Sequence, residues 1–537
     1  MKIDCIETES LRFRNKSAIG FRPVQRIVTV MVNVNVDNLV KICLPMFIGI
    51  ALRSSTSLHP YSGENKPPMY GDYEAQRHWM EITVNLPSAE WYINSTHNDL
   101  NYWGLDYPPV TAYHSWLMGK LANIIDRDWV QLYTSRGFES KEHKLFMRYT
   151  VLVADLLFFI PSVLLYFYYV LPSIMNNKSQ ISGFYSACLT LTYPGLILID
   201  HGHFQYNCIS LGLYLSGINF LLLEWDMLGS ILFCLAIGYK QMELYHALPI
   251  FFFLLSNCIY RKSVRSGITH LARLSCVVFL TVFLIFAPFL LTTDLNLSFQ
   301  VVRRLFPFDR GIYEDKVSNF WCATSPLVKW RSLPTSSLTL SSTKLVWVSV
   351  LLVLTTCLPF CIVLLKKSKN QKFLISLALC ALNFYLFSFQ VHEKSILLVS
   401  IPALCLLPFY PISSFLFSLC STLSMWPLFK KDGLQLASLC LTCIHTILGC
   451  FIILKSNNSD KHVAEKKKLQ NSATSNNIIS IFIILFILIG YSILIIGDLL
   501  NKPPVAYPDL FPLLLSMYSF TLFFLFMLYW QLEVIFM

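Results

Sequence analysis

Long apolar runs separated by short polar tracts set the pattern of this chain. The first, Leu39–Leu52, is short for a bilayer core of about 30 Å and needs a few more residues on either side. A hydrophilic stretch, Arg53–Phe146, follows with no span in it. Further apolar runs lie at about 148–171, 183–199, 207–223, 227–238, 244–259, 270–291, 344–365, 373–389, 395–410, 412–428, 434–454, 478–497 and 511–531, the one at 227–238 being weak. The pattern predicts an all-α polytopic membrane protein of about 14 transmembrane helices with a long first loop. Residues 38–537 form the membrane-embedded unit, and no internal repeat of transporter type stands out.

Composition supports this reading. The chain is 55% hydrophobic and 14% charged, with a mean hydropathy of +0.55. Ordinary soluble domains carry roughly 25% charged residues. The net charge of +11 resides mostly in short tracts between apolar runs, without a basic patch interleaved with aromatics, so no nucleic acid is expected as a partner. Those tracts also orient the chain. With a cytosolic N-terminus, Arg261–Arg265, Lys366–Lys372 and Lys455–Lys468 all fall on the cytosolic side. The loops at about 53–147 and 292–343 then become luminal, and both termini cytosolic. The sequons at Asn94 and Asn296 face the lumen as glycosylation sites, while those at Asn15, Asn177 and Asn457 do not. Residues 1–37 read as a disordered cytosolic tail. Most of the sixteen cysteines lie within apolar runs, which argues against a disulfide framework, and no CxxC zinc pattern occurs.

Six polar motifs gather on one predicted face. Pro67-Pro68-Met69-Tyr70-Gly71-Asp72 leads into Glu74, Arg77, His78 and Glu81 at helical spacing. Trp103-Gly104-Leu105-Asp106-Tyr107-Pro108-Pro109 comes next. His201-Gly202-His203-Phe204-Gln205-Tyr206-Asn207 follows, then Lys240-Gln241-Met242-Glu243. The last two are Arg303-Arg304-Leu305-Phe306-Pro307-Phe308-Asp309-Arg310-Gly311 and Gln390-Val391-His392-Glu393-Lys394. Each has a plainer reading. Asp72 can cap a solvated amphipathic helix, Asp106 can hold a turn, His201 and His203 can be interfacial hydrogen-bonders, and Arg303 and Arg304 can be snorkelling anchors. Asp126-Arg127-Asp128 formally matches a metal signature of soluble sugar-nucleotide transferases, but three residues make a poor motif. Ionisable groups beside a bilayer are costly, and six motifs on one face favour function. Together they suit one chemistry. A carboxylate takes a proton from an acceptor hydroxyl while cations stabilise a departing phosphate. A monophosphate leaving group requires no metal in principle.

These motifs resemble the dolichyl-phosphate-glucose-dependent glucosyltransferases of the endoplasmic reticulum membrane. The resemblance runs from about Tyr61 to Asp432 and more loosely to the C-terminus. It implies a type C glycosyltransferase (GT-C) fold and inversion at the anomeric carbon. It also implies no cofactor or metal, with dolichyl phosphate glucose as donor. The run Glu74-Ala75-Gln76-Arg77-His78-Trp79 places the chain with the enzymes that add the first glucose, in α-1,3 linkage, to Man9GlcNAc2-PP-dolichol. The alternatives are the sister enzyme adding the second glucose and a lipid or solute transporter. The family's base is the aspartate of the Gly-Asp motif, here Asp72. His392, Lys394, Arg303 and Arg304 are then expected at the donor phosphate. Asp106, His203, Glu243 and Arg310 are expected to contact sugar or orient Asp72.

Overall fold

The computed structural model describes residues 36–175, 181–291, 295–306, 316–328, 330, 342–366, 370–388, 390–464 and 470–537. The tail up to residue 35, Asn15, Asn177 and Arg310 lie outside the described residues, as do the side chains of Asn296 and Asn457. The long elements are all helices. They are α1 (Val36–Thr56), α2 (Asp72–Asn85), α3 (Pro109–Ile125), α4 (Lys141–Ile174), α5 (Gly183–Leu191), α6 (Asn207–Leu222), α7 (Asp226–Tyr239), α8 (Ala247–Ile259) and α9 (Val264–Leu290). The chain continues with α10 (Leu295–Leu305), α11 (Ser342–Val363), α12 (Asn370–Phe387), α13 (Leu397–Cys405), α14 (Pro411–Ser424), α15 (Gln435–Ala464), α16 (Gln470–Leu500) and α17 (Leu510–Phe536).

Among the described residues, eight helices are long and apolar enough to cross a membrane. They lie in α1, α4, α8 with its preceding turn, α9, α11, α15, α16 and α17. The chain is a multi-pass membrane protein. The other predicted runs are also largely helical but shorter or interrupted. The run at 183–199 breaks at Thr192–Tyr193 before Pro194, and α6, α7 and α14 are short apolar helices. In α4 the obstacle is handled differently. Pro161 and Pro172 each lack the amide a regular helix needs, and each follows a wider five-residue turn, Asp155–Phe159 and Tyr166–Val170.

Helix α12 runs through the interior, buried without a break from Phe373 to Asn383, which matches its apolar surface on every side. By contrast, α9 and α16 expose rows of large apolar residues, as helices facing lipid do.

One buried charge cluster fixes the first three apolar segments to one another. Arg53, near the end of α1, donates from Nε to Asp155 Oδ2 at 2.5 Å, and its Nη1 donates to the Leu191 carbonyl at 2.7 Å. His201 Nε2 meets the same Asp155 oxygen at 2.9 Å. Arg53 and Asp155 are 1% and 0% exposed, so neither charge has water to fall back on. Asp155→Asn is expected to destabilise the protein by about 3–5 kcal/mol, because it leaves Arg53 buried without its counter-charge. Arg53→Met combined with Asp155→Leu should recover most of that loss. Unfolding of the detergent-solubilised protein measures both.

Candidate active site

The stretch that opens the site does not behave as a solvated helix. Tyr73 to Thr83 of α2 are all buried. Arg77 grips Glu74 with Nε and Nη2, both at 2.7 Å, and Nη2 also reaches Glu81 at 2.7 Å. Its Nη1 donates to Ser135 Oγ at 2.6 Å, and Tyr102 closes over Glu74 Oε1 at 2.8 Å. Burial opposes charge on Glu81, but the hydrogen bond from His78 and the Arg77 guanidinium outweigh it and hold its carboxyl down at about 2. The spacing that placed Glu74, Arg77, His78 and Glu81 on one face was informative. That face is covered by Tyr102, Trp129, Tyr133 and Ser135, so it serves as an anchor.

Nor does Asp72 cap α2. Gly71 is the capping residue, and Asp72 is the first helical residue. Gly71 has φ −151°, a conformation open to any residue. Glycine is needed for space: a Cβ would lie 2.5 Å from Ser62 Oγ and 2.6 Å from the Ser62 backbone. That close approach lets Ser62 Oγ accept from the Asp72 amide at 3.4 Å, while the Ser62 amide donates to the His203 carbonyl at 3.0 Å.

The Asp72 side chain is therefore free to face other segments. Lys394 Nζ donates to its Oδ2 at 2.5 Å, His203 Nε2 lies 3.1 Å from the same oxygen, and Gln205 Nε2 donates to it as well. On the far side of the imidazole, His203 Nδ1 meets Asp432 Oδ2 at 2.5 Å. Burial and Lys394 oppose charge on His203, but the carboxylates of Asp72 and Asp432 prevail and raise its pKa above 6.5. Burial likewise opposes the Asp72 carboxylate, and Lys394 and His203 overcome it, holding its pKa well below the usual range. About a quarter of the Asp72 side chain remains exposed, whereas His203 and Asp432 are buried.

Local structure explains how His203 arrives. Leu198–Phe204 is a wide helical segment that ends on Phe204 at φ +91°, a backbone strain that turns the chain sharply toward Asp72. Arg148 braces this end by donating to the Gly202 carbonyl at 2.9 Å. Beyond it, Asn207 Oδ1 accepts from Lys240 Nζ at 2.5 Å. Burial first, and Lys394 second, pull the Lys240 ammonium down to about 8. A narrow cavity lies here, lined by Gln76, Tyr107, Thr111, Gln205, Asn207 and Lys240 among others.

The remaining motifs form a second knot. Arg304 donates to the carbonyls of Gly104 at 2.7 Å and Leu105 at 3.2 Å, and Gln241 Nε2 joins the carbonyls of Asp106 and Leu305 at 3.2 and 3.1 Å. Arg304 thus braces the loop around Asp106, while Arg303 is exposed on α10. His392 is half-buried, two residues before Lys394. Glu243 faces inward to His246 at 3.0 Å, and His246 meets the Leu398 carbonyl at 2.9 Å. Asn94 is exposed. Asp126 accepts from the Asp128 amide at 3.0 Å, capping a short turn. Among the described residues, no three His, Cys, Asp or Glu side chains gather as a metal cluster.

Motifs from six regions therefore converge, and comparison with known proteins agrees with what they suggest. The model of the ALG6, ALG8 glycosyltransferase family matches residues 38–529. The chain belongs to that family. It is a membrane hexosyltransferase by membership. It is 45% identical over 498 residues to a mouse protein named dolichyl pyrophosphate Man9GlcNAc2 alpha-1,3-glucosyltransferase, covering 91% of this chain and 95% of the relative. The chicken protein of the same name is 43% identical, with 92% and 96% covered. A Drosophila melanogaster protein named probable dolichyl pyrophosphate Man9GlcNAc2 alpha-1,3-glucosyltransferase is 44% identical, with 90% and 96% covered.

Sequence reasoning did not single out Asp432, Gln205 or Lys240. The latter two stood inside quoted motifs. Asp432 had one available signal: the alternation of spans places Lys430–Gly433 on the same face as Asp72. Its pairing predicts a pH signature. A raised His203 pKa contributes stability that is fully present below 6.5 and lost as pH rises through the raised value. Asp432→Asn should therefore lower the melting temperature most below pH 6.5, with the gap to wild type narrowing at higher pH. Melting curves across pH check this.

Proposed function

We propose that this chain transfers glucose from dolichyl phosphate glucose, in α-1,3 linkage, to the terminal mannose of Man9GlcNAc2-PP-dolichol. The shared name of its relatives supports the acceptor and the linkage. The observation that carries the chemistry is Asp72 itself: a partly exposed carboxylate at a helix start, serving no cap and facing Lys394 and His203. In this reading the C3 hydroxyl of the acceptor mannose attacks the anomeric carbon in line. The new C–O bond forms as the bond from that carbon to the phosphate oxygen breaks, with inversion. The hydroxyl proton passes to Asp72, and dolichyl phosphate leaves with the electron pair. No metal is assigned a part, since Lys394 and Lys240 put positive charge beside the base, with the His203 imidazole 3.1 Å from it.

The geometry adds a condition. A carboxylate held by an ammonium at 2.5 Å is a weak base. Donor phosphate competes for Lys394, and when the ammonium turns to it, Asp72 recovers basicity. Arrival of the donor thus prepares the base. His392 stands close enough in sequence to join the phosphate, whereas Arg304 is occupied with carbonyls.

Asp72→Asn should cost about 100- to 10,000-fold in turnover, with the protein still folded. Lys394→Met should instead weaken donor use by roughly 10- to 100-fold and shift the acidic limb of the pH profile upward. Rates against donor concentration at saturating acceptor separate the two. Retention of more than about a tenth of the wild-type rate in Asp72→Asn is incompatible with a general base. Glucose transfer by purified protein excludes a transporter, and Man9GlcNAc2 against its monoglucosylated form as acceptor separates this reading from the sister enzyme.

The site is assigned to the lumen of the endoplasmic reticulum, with cytosolic termini, on the strength of the basic loops. Asn94 then meets the glycosylation machinery, and its side chain is exposed to receive the glycan. Glycosidase should remove mass from wild type and none from Asn94→Gln at that position, while Asn457→Gln should change nothing. Mass lost on Asn457→Gln overturns the orientation.

A further inference from the structure

Helix α9 carries a charged wall at the end away from Asp72. Its C-terminal Phe289 packs on Trp91, Tyr92 and Tyr113, in the cap that covers α2. Val264 lies 25 residues earlier, about 38 Å away along a helix and hence across the bilayer. There the turn Arg261–Ser263 and the first turns of α9 enclose a concavity of about 310 Å³, lined by Arg261, Arg265, Thr269, His270 and Arg273 with two serines.

The wall is held from behind. Asp226, 4% exposed, takes His270 Nε2 on Oδ2 at 2.8 Å and stands 3.7 Å from Arg261 Nη2. Asn257 Nδ2 donates to the other carboxylate oxygen at 3.2 Å. One carboxylate thereby positions two basic groups and neutralises one charge. Arg265 and Arg273 are exposed and make no ion pair among the described residues, and Lys262 adds a third unpaired cation. The bias of basic residues to one membrane face explains their number. It does not require a concave wall or a buried carboxylate ordering it.

The surroundings indicate what binds. Ile259, Val264, Ile268 and Leu271 are 58, 80, 63 and 41% exposed beside the basic residues, and Phe279 and Leu280 continue the apolar side. Only 17% of the apolar window of α9 is buried inside the protein. A ligand that satisfies both features has a phosphate head and hydrocarbon tails. We propose that this wall binds the phosphate headgroup of an anionic membrane lipid, whose acyl chains lie along the exposed apolar side of α9. The site is independent of glucosyl transfer and lies on the opposite face of the membrane.

The test uses the full chain reconstituted in phosphatidylcholine containing a minor fraction of phosphatidylinositol, then extracted and analysed by native mass spectrometry. Wild type should retain phosphatidylinositol in preference to phosphatidylcholine. Arg265→Gln with Arg273→Gln should weaken that retention about 30-fold, two cations near a membrane surface each contributing about fivefold. Arg265→Lys with Arg273→Lys keeps the charge and should retain most of the preference. Glucosyl transfer should be unchanged in both pairs, which shows them folded. Equal retention by wild type and the glutamine pair overturns the proposal, as does equal retention of the two lipids by wild type. Displacement of the lipid by millimolar inorganic phosphate also overturns it, since the wall would then be a site for a soluble anion.

Discussion

The carboxylate of Asp72 accepts a salt bridge from a lysine 322 residues away in sequence. That imidazole beside it is held in turn by Asp432, 229 residues from His203. Contacts this distant are costly to close, and in an apolar body few interactions are strong enough to specify them. An unpaired charge at the membrane boundary is penalised by several kcal/mol, so each charged group acts as an address for its partner. The same rule operates at Arg53, Asp155 and His201, which join α1, α4 and the end of the segment that carries His203. The two clusters share that segment. Moving one charged group of that buried cluster therefore moves the imidazole at the site.

Sequence patterns revealed the helices because membrane spans advertise themselves by apolar length. They revealed less about which runs are uninterrupted. A break such as Thr192–Tyr193 leaves the average hydropathy of its window unchanged, and the wider turns ahead of Pro161 and Pro172 preserve a helix that proline would be expected to end. Asp72 and Lys394 were legible as polar groups out of place. His203 was legible as a candidate, but its partner was not. Asp432 sits in a short polar connection whose lysines draw attention first, and one carboxylate there has many possible partners until the packing selects one. Gly71 shows the converse. The glycine was conspicuous, yet its reason is the backbone of Ser62 rather than a turn.

With Asp72 as the proposed base, helix α2 combines two requirements that usually conflict. Its first residue must remain accessible enough to meet a substrate, while the helix must be rigid enough to aim it. The structure separates them along the axis. From Tyr73 to Thr83 the helix is buried, with Arg77 holding Glu74 and Glu81, and Asp72 and Gln76 at its start face the site. Rigidity comes from buried ion pairs one and two turns behind the reacting group. A change at Arg77 would thus alter catalysis by freeing the helix, although Arg77 touches Glu74, Glu81 and Ser135 rather than Asp72.

Under the proposed function, a lipid-carried donor adds one further constraint. The prenyl chain already confines the donor to the membrane, so the site gains little by binding phosphate tightly. It gains more by making phosphate binding do something. Lys394 is suited to that because a point charge on a flexible stem can exchange one oxyanion for another without losing a planar fit, as an arginine would. Its Nζ also lies 3.2 Å from His203 Nε2, so a shift toward phosphate removes positive charge from both neighbours at once. Asp72 then keeps the His203 imidazole, whose Nδ1 is committed to Asp432, and the Gln205 amide as its remaining partners. In the proposed reaction, Asp72 is thereby oriented by hydrogen bonds that survive donor binding and restrained by one that does not.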